Sequence, residues 1–128
     1  SVEPGSAVRV VATMTDPDGH PLTTDLTAFG SQSLYRLGYI QRRDSRYKLF
    51  TSVAQHGDRF TVTASLNEGL AGPFAGSATL ASGETGRITL PNGLVVNVTP
   101  TVRPETPDEI AQGQLRARVQ VEREFGGA

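Results

Sequence analysis

His20 and His56 are the chain's two histidines, and each stands beside a glycine, Gly19 and Gly57, in a turn-forming stretch. Histidine exchanges protons near neutral pH and ligates metals, so its neighbours decide what it can do. Around the first, Asp16-Pro-Asp-Gly-His20 opens like a calcium loop, D-x-D-G. Such a loop needs further oxygen ligands and ends on a bidentate carboxylate at its twelfth position. Counted from Asp16 that position is Thr27, and Asp25 is out of register. Zinc needs three or four ligands. His20, His56 and Asp58 could supply three only if turns from different hairpins met. Serines are plentiful, yet no G-x-S-x-G elbow presents one as a nucleophile. Neither G-x-x-x-x-G-K-[ST] nor G-x-G-x-x-G occurs, and the carboxylates are scattered rather than paired. The sequence therefore assigns no catalytic residue, no metal ligand and no cofactor, and the expectation is a protein that is not an enzyme.

One stretch stands out for binding instead of catalysis. Residues 35–48 interleave Arg36, Arg42, Arg43, Arg46 and Lys48 with Tyr35, Tyr39 and Tyr47. Tyr and Arg dominate protein-interface hot spots, through aromatic anchoring and bidentate pairing with carboxylates. The candidate contact residues are Tyr35, Arg36, Tyr39, Arg42, Arg43, Arg46 and Tyr47. The same mixture suits single-stranded nucleic acid or an anionic glycan. Asp44 and Asp58 offset its charge, and the net charge of the whole chain is −1, which removes any global electrostatic case for nucleic acid or an anionic membrane. A basic turn that is simply solvated is the ordinary alternative. Asn97-Val98-Thr99 fits the N-glycosylation pattern but falls within a strand reading.

The elements that must hold these residues read as strands. The chain has 128 residues, one domain's length, with 14 Gly, 8 Pro and no Cys, so disulfides and thiolate chemistry are excluded. No apolar run approaches the roughly 20 residues of a membrane helix. Val8, Val10, Ala12 and Met14 alternate with Arg9, Val11 and Thr13, then enter the Asp16–His20 turn. Residues 21–29 read as a second strand, an edge because of Pro21. Leu34, Tyr35, Leu37, Tyr39 and Ile40 fit a helical face or a strand; the strand is preferred, because residues 46–54 mirror it beyond a polar turn at 42–46. Phe60, Val62, Ala64 and Leu66 alternate next, making a hairpin across Gln55–Asp58. Residues 67–76 read as a loop. Short strands follow at 77–81, 87–90 and 94–99, with Asn92-Gly93 a two-residue hairpin signal. Residues 100–113 read as a long connection with an acidic patch, Glu105, Asp108 and Glu109, and at most one helical turn at 108–112. Leu115, Ala117, Val119 and Val121 alternate as a last strand. Seven to nine short, mostly antiparallel strands imply an all-β fold, a single β-sandwich, Ig-like or related. Residues 1–6 read as a linker or a mature N-terminus after signal cleavage, 7–125 as the β domain and 126–128 as a tail.

Two stretches carry a resemblance. Val8-Arg-Val-Val-Ala-Thr-Met-Thr-Asp-Pro-Asp-Gly-His-Pro-Leu22, within residues 7–29, resembles the opening of bacterial Ig-like modules. Gly83-Glu-Thr-Gly-Arg-Ile-Thr-Leu-Pro-Asn-Gly93, Val98-Thr-Pro-Thr-Val102 and the alternating 115–121 segment resemble part of the β-domain of bacterial secretins. The resemblance implies an extracytoplasmic, periplasmic or secreted β domain that works through contacts, and it transfers no catalytic residue. Eleven Arg against a single Lys, Lys48, fit a GC-rich bacterial genome. The expected function is a non-catalytic module of a bacterial envelope or secreted protein, acting on a protein partner in assembly, adhesion or inhibition. A self-assembling or spacer subunit pairing through edge strands such as 22–29 is the second reading. A small hydrolase or metal-binding protein without a signature is the third.

Overall fold

A computed structural model describes residues 1–32 and 36–125. Its strands are β1 (Ser6–Thr15), β2 (Pro21–Phe29), β3 (Gly38–Gln41), β4 (Tyr47–His56), β5 (Arg59–Glu68), β6 (Ala71–Ala81), β7 (Gly86–Thr89) and β8 (Val95–Pro104), and a helix, α1 (Pro107–Glu124), follows. The strands form two antiparallel sheets of four, ordered β2-β1-β8-β7 and β3-β4-β5-β6. In the immunoglobulin arrangement the first, second, fifth and fourth strands share a sheet. Here β3 to β6 run as an unbroken meander, so the sandwich has its own order.

Period-two patterning builds the core. Val8, Val10, Ala12 and Met14 of β1 face Leu49, Val53, Phe60, Val62, Ala64 and Leu66 of the other sheet within one buried cluster, completed by Leu22, Ile88, Leu90, Val96 and Val98. Each large aliphatic or Phe side chain so buried contributes roughly 1.5–3 kcal/mol. A polar bridge crosses this core: the hydroxyls of Thr24 on β2 and Thr51 on β4 lie 3.1 Å apart, both buried. Gly38 packs over that pair, where an added Cβ would collide with the Thr51 hydroxyl.

Two turns share one design. Gly19 N donates to Asp16 O at 3.0 Å and Gly93 N to Leu90 O at 2.8 Å, and both glycines have φ of 88°. Each is a three-residue loop with Pro second in a turn and Gly in the left-handed region. The Asn92-Gly93 hairpin therefore forms, but as a three-residue loop, because Pro91 takes the first turn position.

Two expectations are corrected. Residues 71–76 belong to β6, not to a loop. The strand is irregular only at its start, where the register against β5 shifts between Leu66 and Glu68. The 115–121 strand is helix. Thr106 caps α1: its hydroxyl accepts from Glu109 N at 3.2 Å, and Glu109 Oε1 accepts from Thr106 N at 2.9 Å. Pro107 opens the first turn, where Asp108 and Glu109 suit the helix dipole. With that segment helical, the amphipathic strand in the secretin-like pattern is absent. The helix meets the sandwich at Gly113, buried against Ser31. Beyond it Leu115, Val119, Val121 and Phe125 are all exposed.

The helix start thus depends on its cap more than on packing. Replacing Thr106 by Ala is expected to cost α1 about 1 kcal/mol. Circular dichroism at 222 nm should fall, while the sandwich's unfolding free energy stays within about 0.5 kcal/mol.

Candidate functional site

The structure disperses the Tyr/Arg stretch. Tyr35 lies outside the described residues. Arg36 is exposed and shares a groove with Asp108, Glu109 and Arg116 of α1. Tyr39 sits on β3, 52% exposed, with its ring centroid 5.0 Å from that of its cross-strand partner Phe50. Its hydroxyl donates to Gln41 Oε1 at 2.8 Å. Leu37, just before β3, is equally exposed.

Arg42, Arg43 and Arg46 occupy the β3–β4 turn. Arg42 grips Asp44 with two bonds of 2.9 Å and reaches Pro21 O at 3.3 Å. Arg46 lies 3.8 Å from Asp18 and 3.6 Å from Glu68. Arg43 is exposed and makes no ion pair among the described residues. Tyr47 corrects the expectation. It is 3% exposed, in the core, because β4 turns positions 47, 49, 51 and 53 inward, and it cannot anchor a partner. Its burial, and next Glu68, push the phenol pKa up.

The turns at this end converge on one buried carboxylate. Asp16 Oδ1 accepts from Asp18 N at 2.9 Å and His20 N at 2.8 Å. Asp16 Oδ2 accepts from Ser45 Oγ at 2.7 Å and lies 3.1 Å from His20 Nδ1. Burial alone would raise this pKa, but the bonds from Ser45, His20 and Asp18 outweigh it and hold it down at about 2. His20 Nε2 stands 3.6 Å from Asp44 on its other side.

Ser, His and Asp are thus together, but in the wrong order for nucleophile activation. A triad serine donates to the histidine; Ser45 donates to the carboxylate. Ligand atoms of Asp16, Asp18 and His20 also lie within 4.8 Å of one another. Asp16's two oxygens already face four donors, and Asp18 faces Arg46, so the geometry is that of an Asx turn that pins two loops. His20 and His56 stand near opposite ends of β4, whose ten residues rise about 33 Å. No single site holds both.

At the sandwich's other end, Glu105 is buried rather than part of an acidic patch. Its side chain accepts from Gly5 N at 3.0 Å, Ser31 N at 2.9 Å and the Ser31 hydroxyl. Glu109 pairs with Arg103 at 2.6 Å, which, with the Thr106 N–H, lowers its pKa to about 2. Asp108 is left exposed.

The candidate contact set leaves out Leu37, which enters the sequence reading only as a strand residue, and Phe50. The signal for Phe50 existed: if 47, 49, 51 and 53 face inward, Phe50 faces out, beside Tyr39. No family model, curated protein or solved structure matches this chain.

The Asp16 network makes a stability prediction. Asp16→Ala leaves Ser45 and two backbone N–H groups without their acceptor, for an expected loss of about 2–4 kcal/mol in urea unfolding at pH 7. The carboxyl's folded pKa lies below its ordinary value near 3.8. Its contribution is therefore complete above that value and fades as pH falls toward about 2. The gap between wild type and Asp16→Ala should narrow over that window.

Proposed function

We propose that this chain is a non-catalytic contact module that binds a protein partner through the outer face of the β3–β6 sheet. The observation that carries the reading is the Tyr39–Phe50 pair. Two aromatic side chains stand on the solvent side of a sheet, 5.0 Å apart, next to exposed Leu37. Neighbouring outward positions hold Ser52, Thr63 and Ser65, small side chains that leave the rings prominent. Aromatic anchors among small polar side chains, with Lys48 at the outward position before Phe50, match the centre of a protein interface better than a solvated surface does.

Arg43 supplies the rim. Arg42 and Arg46 have carboxylates of their own within the fold, so their charge is already matched. Arg43 is the turn's guanidinium without an internal carboxylate among the described residues, and it suits a bidentate bond to a partner's Asp or Glu. An extracytoplasmic bacterial setting, periplasmic or secreted, is supported by the resemblance of residues 7–29 to bacterial Ig-like modules.

The double variant Tyr39→Ala/Arg43→Ala tests the surface. Its stability should remain within about 1 kcal/mol of wild type, since both side chains are exposed. A protein retained from envelope extract by wild type, once purified, should bind the variant at least about tenfold more weakly in calorimetry. Equal affinity would remove this face from the function; a collapse of folding would make the pair structural.

A further inference from the structure

We infer that the free edge of β6 pairs antiparallel with β6 of a second copy, joining two molecules through one continuous eight-stranded sheet. Four strands lie at sheet edges, and three of them are guarded. β3 and β7 are only four residues long, and β7 carries Arg87. β2 begins at Pro21 and carries Asp25, held by Arg9 at 2.6 Å. Short length, proline and charge are the devices by which natural sheets keep their edges from pairing. β6 has its proline, Pro73, only near the start, and beyond it β6 is the exception. It runs eleven residues, Ala-Gly-Pro-Phe-Ala-Gly-Ser-Ala-Thr-Leu-Ala, without one charge, and among the described residues is paired on one side only, to β5.

The strand itself sets the register. Pro73 offers no N–H, and Gly72, with φ of 107°, begins the irregular end beside the shift in register. At the other end Ala81 enters a turn, its carbonyl accepting from Glu84 N at 3.1 Å. The regular stretch is therefore Phe74 to Leu80, and its midpoint is Ser77. A two-fold axis perpendicular to the sheet at Ser77 keeps like faces together. It sets Phe74 opposite Leu80 and Gly76 opposite Ala78 on the core side. Ala75 falls opposite Thr79, and Ser77 opposite Ser77, on the outer side. No charge meets a like charge along this stretch. Apolar side chains adjoin where the cores meet, and the outer rows are small enough to lie flush.

The absence of cysteine makes the register directly testable. Opposed residues of an antiparallel pair have Cα atoms about 4.5–5.5 Å apart, within disulfide range. Under mild oxidation, Ser77→Cys should crosslink to a dimer in high yield, and Ala75→Cys mixed with Thr79→Cys should crosslink to each other. Asp58→Cys, in the exposed β4–β5 turn, is the collision control. In sedimentation the wild type should show a concentration-dependent dimer that Ser77→Lys abolishes, and Ala75→Lys serves as a second variant. A chain that stays monomeric at its highest soluble concentration, a dimer surviving both lysine variants, or Ser77→Cys crosslinking no faster than Asp58→Cys overturns the inference. Tyr39 lies on β3 at the opposite edge of the sheet, so the Tyr39→Ala/Arg43→Ala variant should keep the dimer. Failure of the β6 contact is thus distinguishable from failure of that surface.

Discussion

Two buried carboxylates, one at each end of the sandwich, hold the chain's closure. A carboxylate out of water is tolerated only when donors surround it, so each must gather N–H and O–H groups from whatever segments pass nearby. Asp16 gathers them from its own turn and from Ser45, on the connection between β3 and β4. That bond ties a turn of one sheet to a turn of the other. Glu105 gathers Gly5, ahead of β1, and Ser31, just beyond β2, while its own N–H donates to Gly5 O at 2.8 Å. The hydrophobic core presses the sheets together without direction; Asp16 and the Thr24–Thr51 bridge link one sheet to the other, while Glu105 ties the ends of β1, β2 and β8 within one sheet.

This arrangement decides which arginines are free. Closing the Asp16 end brings Asp18 and Asp44 up to the β3–β4 turn, and Arg42 and Arg46 are consumed in matching them and Glu68. A stretch that looks basic in one dimension is therefore nearly neutral in three. The same closure sends Tyr47 into the core and leaves Tyr39, eight residues earlier on a neighbouring strand, outside.

Much of the fold was legible because strands buried on one face must alternate. The pattern located β1, β4 and β5 closely, and the turns at Gly19, Gly57 and Gly93 announced themselves by composition. β6 was hidden by its own first residues: Gly72 and Pro73 punctuate like a loop, although they mark only an irregular strand start. The helix was hidden for a different reason. Leu115 and Val119 lie four apart, as do Ala117 and Val121, so two short helical stripes interleave into a period of two. Because neither stripe is buried, no wide apolar face revealed the helix. Its start was written instead as Thr106-Pro-Asp-Glu109, a capping box with proline at the first position. The carboxylate clusters were not legible, since Asp16 meets Ser45 and Glu105 meets Gly5 only after the chain has closed.

The distribution of charge bears on the proposed contact surface. Within β3, β4, β5 and β6 the charged residues are Lys48, Arg59 and Glu68, the last two at strand ends. The other sheet carries Arg9, Asp25, Arg87 and Arg103 on its strands, and the helix and turns hold most of the rest. Covering a charge requires stripping its water, and the cost is recovered only by a well-placed partner. Covering threonine, serine and alanine requires little, and covering tyrosine and phenylalanine is favourable outright. The β3–β6 sheet is therefore the cheaper surface to bury, both across its face at Tyr39 and Phe50 and along its edge at β6. A net charge near zero describes the sum of this division, not the character of either face.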